Sequence, residues 1–90
     1  MIMKKLLVEN DLYSCSDLAL TATLAIFFPI KQINKSDPRR AQFIFTRSNK
    51  LDEFINKYWN KEVLIEPRQY FDQLKIIKAR LYENNRVINY

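Results

Sequence analysis

A chain of 90 residues holds one hydrophobic core and little more, and with 48% hydrophobic and 13% aromatic residues it lies far from the disordered regime. Fifteen Lys and Arg against ten Asp and Glu leave a net charge of +5, which favours phosphates or acidic partners, although a Lys-, Asn- and Ile-rich composition produces that bias without functional pressure. A single cysteine, Cys15, and no histidine exclude an intrachain disulfide and any Cys–His or Ser–His nucleophile pair, and argue against a structural metal.

No stretch approaches the ~18 uninterrupted apolar residues of a membrane helix. The start carries Lys4 and Lys5 before a brief apolar run, but that run ends after three residues and Glu9 follows, so no secretory leader is expected. With a lone thiol, the expected compartment is the reducing cytoplasm. Residues 2–8 read either as a short strand or as a frayed end.

Ser14-Cys-Ser-Asp17 before an apolar run is close to a capping box, with Ser14 or Ser16 as the cap of a helix from about Cys15 to Phe28. The apolar residues Leu18, Leu20, Ala22, Leu24, Ala25, Ile26 and Phe28 lie all round that helix. It must therefore be covered on most sides, by its own domain or by a second copy. Pro29 ends it, Ile30 to Lys35 can be extended, and Lys35 to Arg40 reads as a turn with Pro38 at its second position. Arg40 to Thr46 is the clearest strand, with Ala41, Phe43 and Phe45 on one face.

Ser48 or Asn49 caps the next helix. Its Leu51, Phe54, Ile55, Tyr58 and Trp59 follow the i, i+3, i+4, i+7, i+8 pattern, and Trp59 is expected in the core. In a chain without glycine, Asn60, Asn84 and Asn85 are the natural helix breakers. Val63 to Ile65 fits one more short strand. Glu66 then caps a helix that Pro67 opens and that ends near Tyr82, leaving 84–90 as a tail beyond an ordered core of about 12–83.

The expected fold is α+β, a single domain over 1–90: an antiparallel sheet of three or four strands packed against three helices, in the order (β)αββαβα. That order is ferredoxin-like with an added C-terminal helix if residues 2–8 form a strand.

On the last helix, Tyr70, Leu74, Ile77 and Leu81 form an apolar stripe. Advancing about 100° per residue, Lys78, Phe71, Tyr82, Lys75 and Arg68 occupy the neighbouring flank. Cations interleaved with rings suit phosphates and bases, while the plain alternative is a core edge with solvated charges, Asp72 pairing with Arg68 or Lys75. Arg39 and Arg40 in the hairpin turn, and Arg47 at its exit, form a second basic group suited to phosphates or a carboxylate. Phe43-Ile-Phe45 lacks the glycines of an RNA-recognition strand, so its rings are expected to face helices. The carboxylates Asp52, Glu53, Glu62 and Glu66 form no spaced pair, and Cys15 reads as an inert buried thiol.

Tyr13-Ser-Cys-Ser-Asp-Leu-Ala-Leu20, Ser36-Asp-Pro-Arg-Arg40, Phe43-Ile-Phe45, Tyr58-Trp59, and Glu66-Pro-Arg-Gln-Tyr-Phe71 followed by Leu74-Lys75 and Lys78-Ala-Arg-Leu-Tyr82 make a recognisable set. Together they resemble a domain-of-unknown-function family of short proteins from bacteria, archaea and phages, over most of residues 13–83. The resemblance implies a stand-alone small domain, often near mobile elements, with no assigned activity and no catalytic residue to carry over. The functional expectation is a non-enzymatic accessory protein without cofactor or metal. It would bind nucleic acid through Arg39, Arg40, Arg47, Arg68, Lys75 and Lys78. The alternative is a protein-interaction or homodimer module whose basic charge is incidental.

Overall fold

The computed structural model describes residues 11–37 and 39–88, with side chains through Tyr82. Its elements run β1 (Leu12–Cys15), α1 (Leu18–Phe27), β2 (Gln32–Asn34), β3 (Gln42–Thr46), α2 (Asn49–Trp59) and α3 (Pro67–Ile88). The three strands form one antiparallel sheet in the order β1-β3-β2.

The alternation in β3 sets the two faces of that sheet. Phe43 and Phe45 point inward and are buried, while Gln42 and Thr46 point out. Register carries the pattern to both neighbours. Tyr13 opposes Phe45, and Cys15 and Ile33 both oppose Phe43. The inner face meets Leu20, Ala22 and Leu24 of α1, Leu51 of α2 and Ile77 of α3 in one cluster. As expected, the Phe43 and Phe45 rings belong to the core, where no base can stack on them.

Because β1 and β2 are each antiparallel to β3, they run parallel to one another with β3 between them, and α1 is their crossover. This is a split βαβ unit. The fourth strand expected at Val63 to Ile65 does not form, so a complete ferredoxin-like sheet is absent among the described residues. Only residues 62–66 separate the turn after α2 from α3, too few to descend into the sheet and return. The strand considered for residues 2–8 lies outside the described residues.

Helix boundaries follow local chemistry. At α1 the cap is Asp17, whose Oδ1 accepts from the Leu20 N–H at 3.1 Å; the serines proposed for that role lie before it, Ser14 within β1. The helix accordingly starts at Leu18, three residues later than the serine caps implied. Leu20 to Leu24 are all buried within this one chain, where α1 packs along α3 and against β1. A second copy is not needed to cover it. Ser48 caps α2 as expected, accepting from the Leu51 N–H at 3.1 Å.

The end of α2 is a Schellman motif. The Glu62 N–H reaches the Lys57 carbonyl at 2.9 Å and the Lys61 N–H reaches that of Tyr58 at 3.0 Å. Asn60 is the C-cap, but the left-handed position falls one residue later, on Lys61 (φ 63°). A lysine there takes the place that glycine usually fills.

Glu66 caps α3, its Oε1 accepting from the Gln69 N–H at 2.8 Å. The helix then continues to Ile88, through Asn84 and Asn85, where a tail was expected. Asparagine is a mild helix breaker, and no proline or glycine follows to enforce a stop. No described helix is long and apolar enough to cross a membrane.

Candidate nucleic-acid interface

The six cations marked from the sequence fall in three places. Arg47 leaves the end of β3 directly before the cap of α2. Its Nε donates to Asp52 Oδ1 at 3.2 Å and Oδ2 at 3.3 Å, and its Nη1 lies 3.7 Å from Asp11 Oδ2. The hydrogen bond to Asp52 raises the guanidinium pKa above its usual value, with Asp52 and Asp11 charge adding to it. Arg47 is thus occupied by two carboxylates, which answer its charge before any ligand arrives. It borders a concavity of about 470 Å³ with Tyr13, Asp52, Ile55 and Asn56.

Arg39 and Arg40 sit in the loop between β2 and β3. That loop is held by asparagine and aspartate side chains bonding the local backbone. Asn34 Oδ1 accepts from the Ser36 N–H at 2.8 Å, Asp37 Oδ1 accepts from the Arg39 N–H at 3.0 Å, and the Arg40 N–H closes onto the Asp37 carbonyl at 3.1 Å. Both arginine side chains are exposed.

Arg68, Lys75 and Lys78 are exposed along α3. Buried Ile77 fixes the rotation of this helix: with the Tyr70-Leu74-Ile77-Leu81 stripe inward, the next flank faces solvent. Phe71 is 55% exposed and Tyr82 61% exposed on that flank. Lys75 Nζ stands 5.2 Å from the Phe71 ring centre, a cation–π contact. Among the described residues only Arg47 forms ion pairs, so Asp72 makes neither of the pairs its spacing allows.

Lys35 relates these groups. Its Nζ donates to the carbonyls of Leu81 at 2.6 Å and Arg80 at 3.2 Å, which places the β2–β3 loop against the C-terminal half of α3. Lys78 is within one helical turn of that contact. Arg68, twelve residues before Arg80, is about 18 Å away along the axis. Arg47 emerges from the opposite end of β3, about 23 Å of extended chain from Arg40. Around the axis, however, the Arg80 and Leu81 contact lies on the inward side of α3, and Lys78 and Lys75 stand about 60° and 120° beyond Leu81. Arg39 and Arg40 thus share a loop anchored to α3, while the two lysines share its exposed flank. Arg68 lies at the far end of α3, and Arg47 is ion-paired with Asp52 and Asp11. Lys35 was missed in the sequence, where nothing local marks a contact to carbonyls 45 and 46 residues away.

Two expectations for aromatic residues part company. Tyr58 packs on the core, but Trp59 is 59% exposed and meets Tyr58 edge-on at 5.0 Å. On the α2 wheel Trp59 lies about 80° from buried Leu51, beyond the edge of the inward stripe. Cys15 is buried as expected, at the end of β1: its Sγ accepts from Thr21 Oγ1 at 3.3 Å and reaches the Asp17 carbonyl at 3.5 Å. Among the described residues no group of three or more Cys, Asp or Glu side chains is placed to hold a metal ion.

Comparison with curated proteins gave no match, and comparison with solved structures gave none. A family match does cover residues 10–83, from just before β1 to just past Tyr82, and so takes in the whole sheet, both shorter helices and the exposed flank of α3. The chain belongs to the family described as a domain of unknown function (DUF5659).

Proposed function

We propose that this protein binds nucleic acid without catalysing a reaction on it, as a small cytoplasmic accessory factor of a virus or mobile element. Phosphates are contacted by Arg39, Arg40, Lys75 and Lys78, with Arg68 reaching a more distant one. What supports this reading is the exposed flank of α3, whose lysines have no acidic partner among the described residues and stand among exposed rings. Arg47 is left out of the contact set.

Binding measured by fluorescence anisotropy across a salt series tests it. Five phosphate contacts on duplex give a slope of about −4.5 in log affinity against log salt, a loss of roughly 500-fold between 50 and 200 mM. Replacing Lys75 and Lys78 together by Gln makes the slope shallower by about 1.8. Arg47→Gln leaves it unchanged. Lack of affinity for any DNA or RNA at low salt refutes the proposal, as does an unchanged slope in the double lysine variant.

A second reading is a protein-interaction or homodimer module. It is favoured by Leu64, 94% exposed in the α2–α3 connector, close in sequence to exposed Trp59. Sedimentation that shows a strict monomer, with no change for Trp59→Ser or Leu64→Ser, removes its self-association form.

A further inference from the structure

We infer that the nucleic acid this face takes is single-stranded, with bases stacked on Phe71 and Tyr82 and phosphates held by Lys75 and Lys78. The inference rests on the nucleic-acid reading above and deepens it. Its starting point is a pattern that phosphate binding alone does not require. Phe71, Lys75, Lys78 and Tyr82 stand at i, i+4, i+7 and i+11, which on a helix is one straight row. Both end members are large rings, each more than half exposed. Rings this exposed are not required to close the core, since Ile77 and its stripe already supply that surface of α3.

Geometry then chooses the form of the ligand. A duplex turns phosphates outward and hides its base faces in the stack, so it would use the lysines and leave both rings idle. A single strand offers both groups at once, and base–aromatic stacking is tolerant of sequence because every base has a π-face. The two rings are about 16 Å apart along the axis, the length of roughly five nucleotides at duplex-like spacing of ~3.4 Å. The Lys75 ammonium sits over the Phe71 ring, 5.2 Å from its centre, so a base stacking on that face displaces the ammonium, which then turns to the phosphate of the same strand. The charge of the row is wholly positive and its exposed apolar surface wholly aromatic, a match for an unpaired polynucleotide strand.

The test compares oligothymidylates of about 4 to about 16 nucleotides with mixed-sequence duplexes of equal length, using the full chain. Affinity for the single strand should rise until the oligomer spans both rings and then level. Phe71→Leu and Tyr82→Leu should each weaken single-strand binding by roughly 5-fold to 10²-fold while leaving the salt slope in place, since the cations remain. Phe71→Tyr should restore it, because an aromatic face is kept. Circular dichroism checks that each variant is folded. Duplex bound as tightly as single strand, with neither leucine variant altering affinity, overturns this inference and leaves phosphate binding standing. Absence of binding to either form at low salt overturns both.

Discussion

Two isoleucines adjacent in sequence give the sharpest test of how α3 is seated. Ile77 is fully buried and Ile76 is 49% exposed. Ile77→Ala and Ile76→Ala delete the same three carbons, so any difference between them reports burial. For Ile77 the lost transfer energy alone is about 2.4 kcal/mol at ~0.8 kcal/mol per buried CH₂. Whatever part of the vacated space fails to collapse adds to that, so the full cost is about 2.5–4 kcal/mol. For Ile76 roughly half the transfer loss applies, and alanine's better helix propensity returns several tenths of a kcal/mol, leaving about 0.5–1 kcal/mol.

A domain of this length has a total stability of about 5–13 kcal/mol, so both variants remain folded enough to measure. Urea unfolding followed by far-UV circular dichroism should show the Ile77→Ala midpoint lower by about 1–2 M with the slope unchanged, and the Ile76→Ala midpoint lower by less than about 0.7 M. Equal losses, or a larger loss at Ile76, would mean that α3 is rotated from the position described. The lysine–aromatic row would then no longer face solvent.

Lys61→Gly should stabilise the domain by about 0.5–1 kcal/mol, since φ of 63° in the Schellman motif strains any side chain with a Cβ; a fall in melting temperature would contradict that assignment. Cys15 should react with a thiol reagent far more slowly in the native protein than in denaturant, and equal rates would show that β1 does not bury it. Burial, then the nearby Cys15 and Asp17, raises the Tyr13 pKa above its usual 10.0. The unfolded chain therefore loses that proton first as pH rises, and the stability Tyr13 contributes is complete below pH 10 and lost above it. Tyr13→Phe should show a shallower alkaline decline, and an unchanged decline would mean the hydroxyl is solvated in the fold.

What was legible in the sequence was what local chemistry decides. Ser48 and Glu66 each place a side-chain acceptor where a first turn has unpaired N–H groups, and both helices begin where those residues dictate. The alternation of Phe43 and Phe45 gave the inward face of the sheet because a period of two has one buried solution here. The failures share a different origin. Leu12 to Cys15 reads as the approach to a helix, and it becomes a strand only through pairing with β3, some thirty residues away. Val63 to Ile65 has the composition of a strand, yet its neighbours commit the chain to two helix ends within a few residues. The Arg47 ion pair, by contrast, had a local sign, since an arginine just before a cap stands within reach of an Asp52 in the first turn of the helix.

The remaining question is how one helix both closes the core and carries the exposed lysine–aromatic row proposed for binding. On a helix the inward and outward duties are separated only by angle: Leu81 and Tyr82 are one residue apart but about 100° apart around the axis. Leu81 packs on the core and Tyr82 stands in water. The missing fourth strand sharpens this arrangement, because the chain between α2 and α3 stays in the helical layer instead of returning to the sheet. Lys35 then ties the arginine-bearing loop to the backbone of α3 at Arg80 and Leu81, through carbonyl oxygens that every residue supplies. The family match ends one residue past Tyr82, so the complete row from Phe71 to Tyr82 is part of the domain itself and not of an appended tail. A row whose direction is set by buried Ile77 on the same helix is held by the fold, which is the condition a preformed binding surface would have to meet.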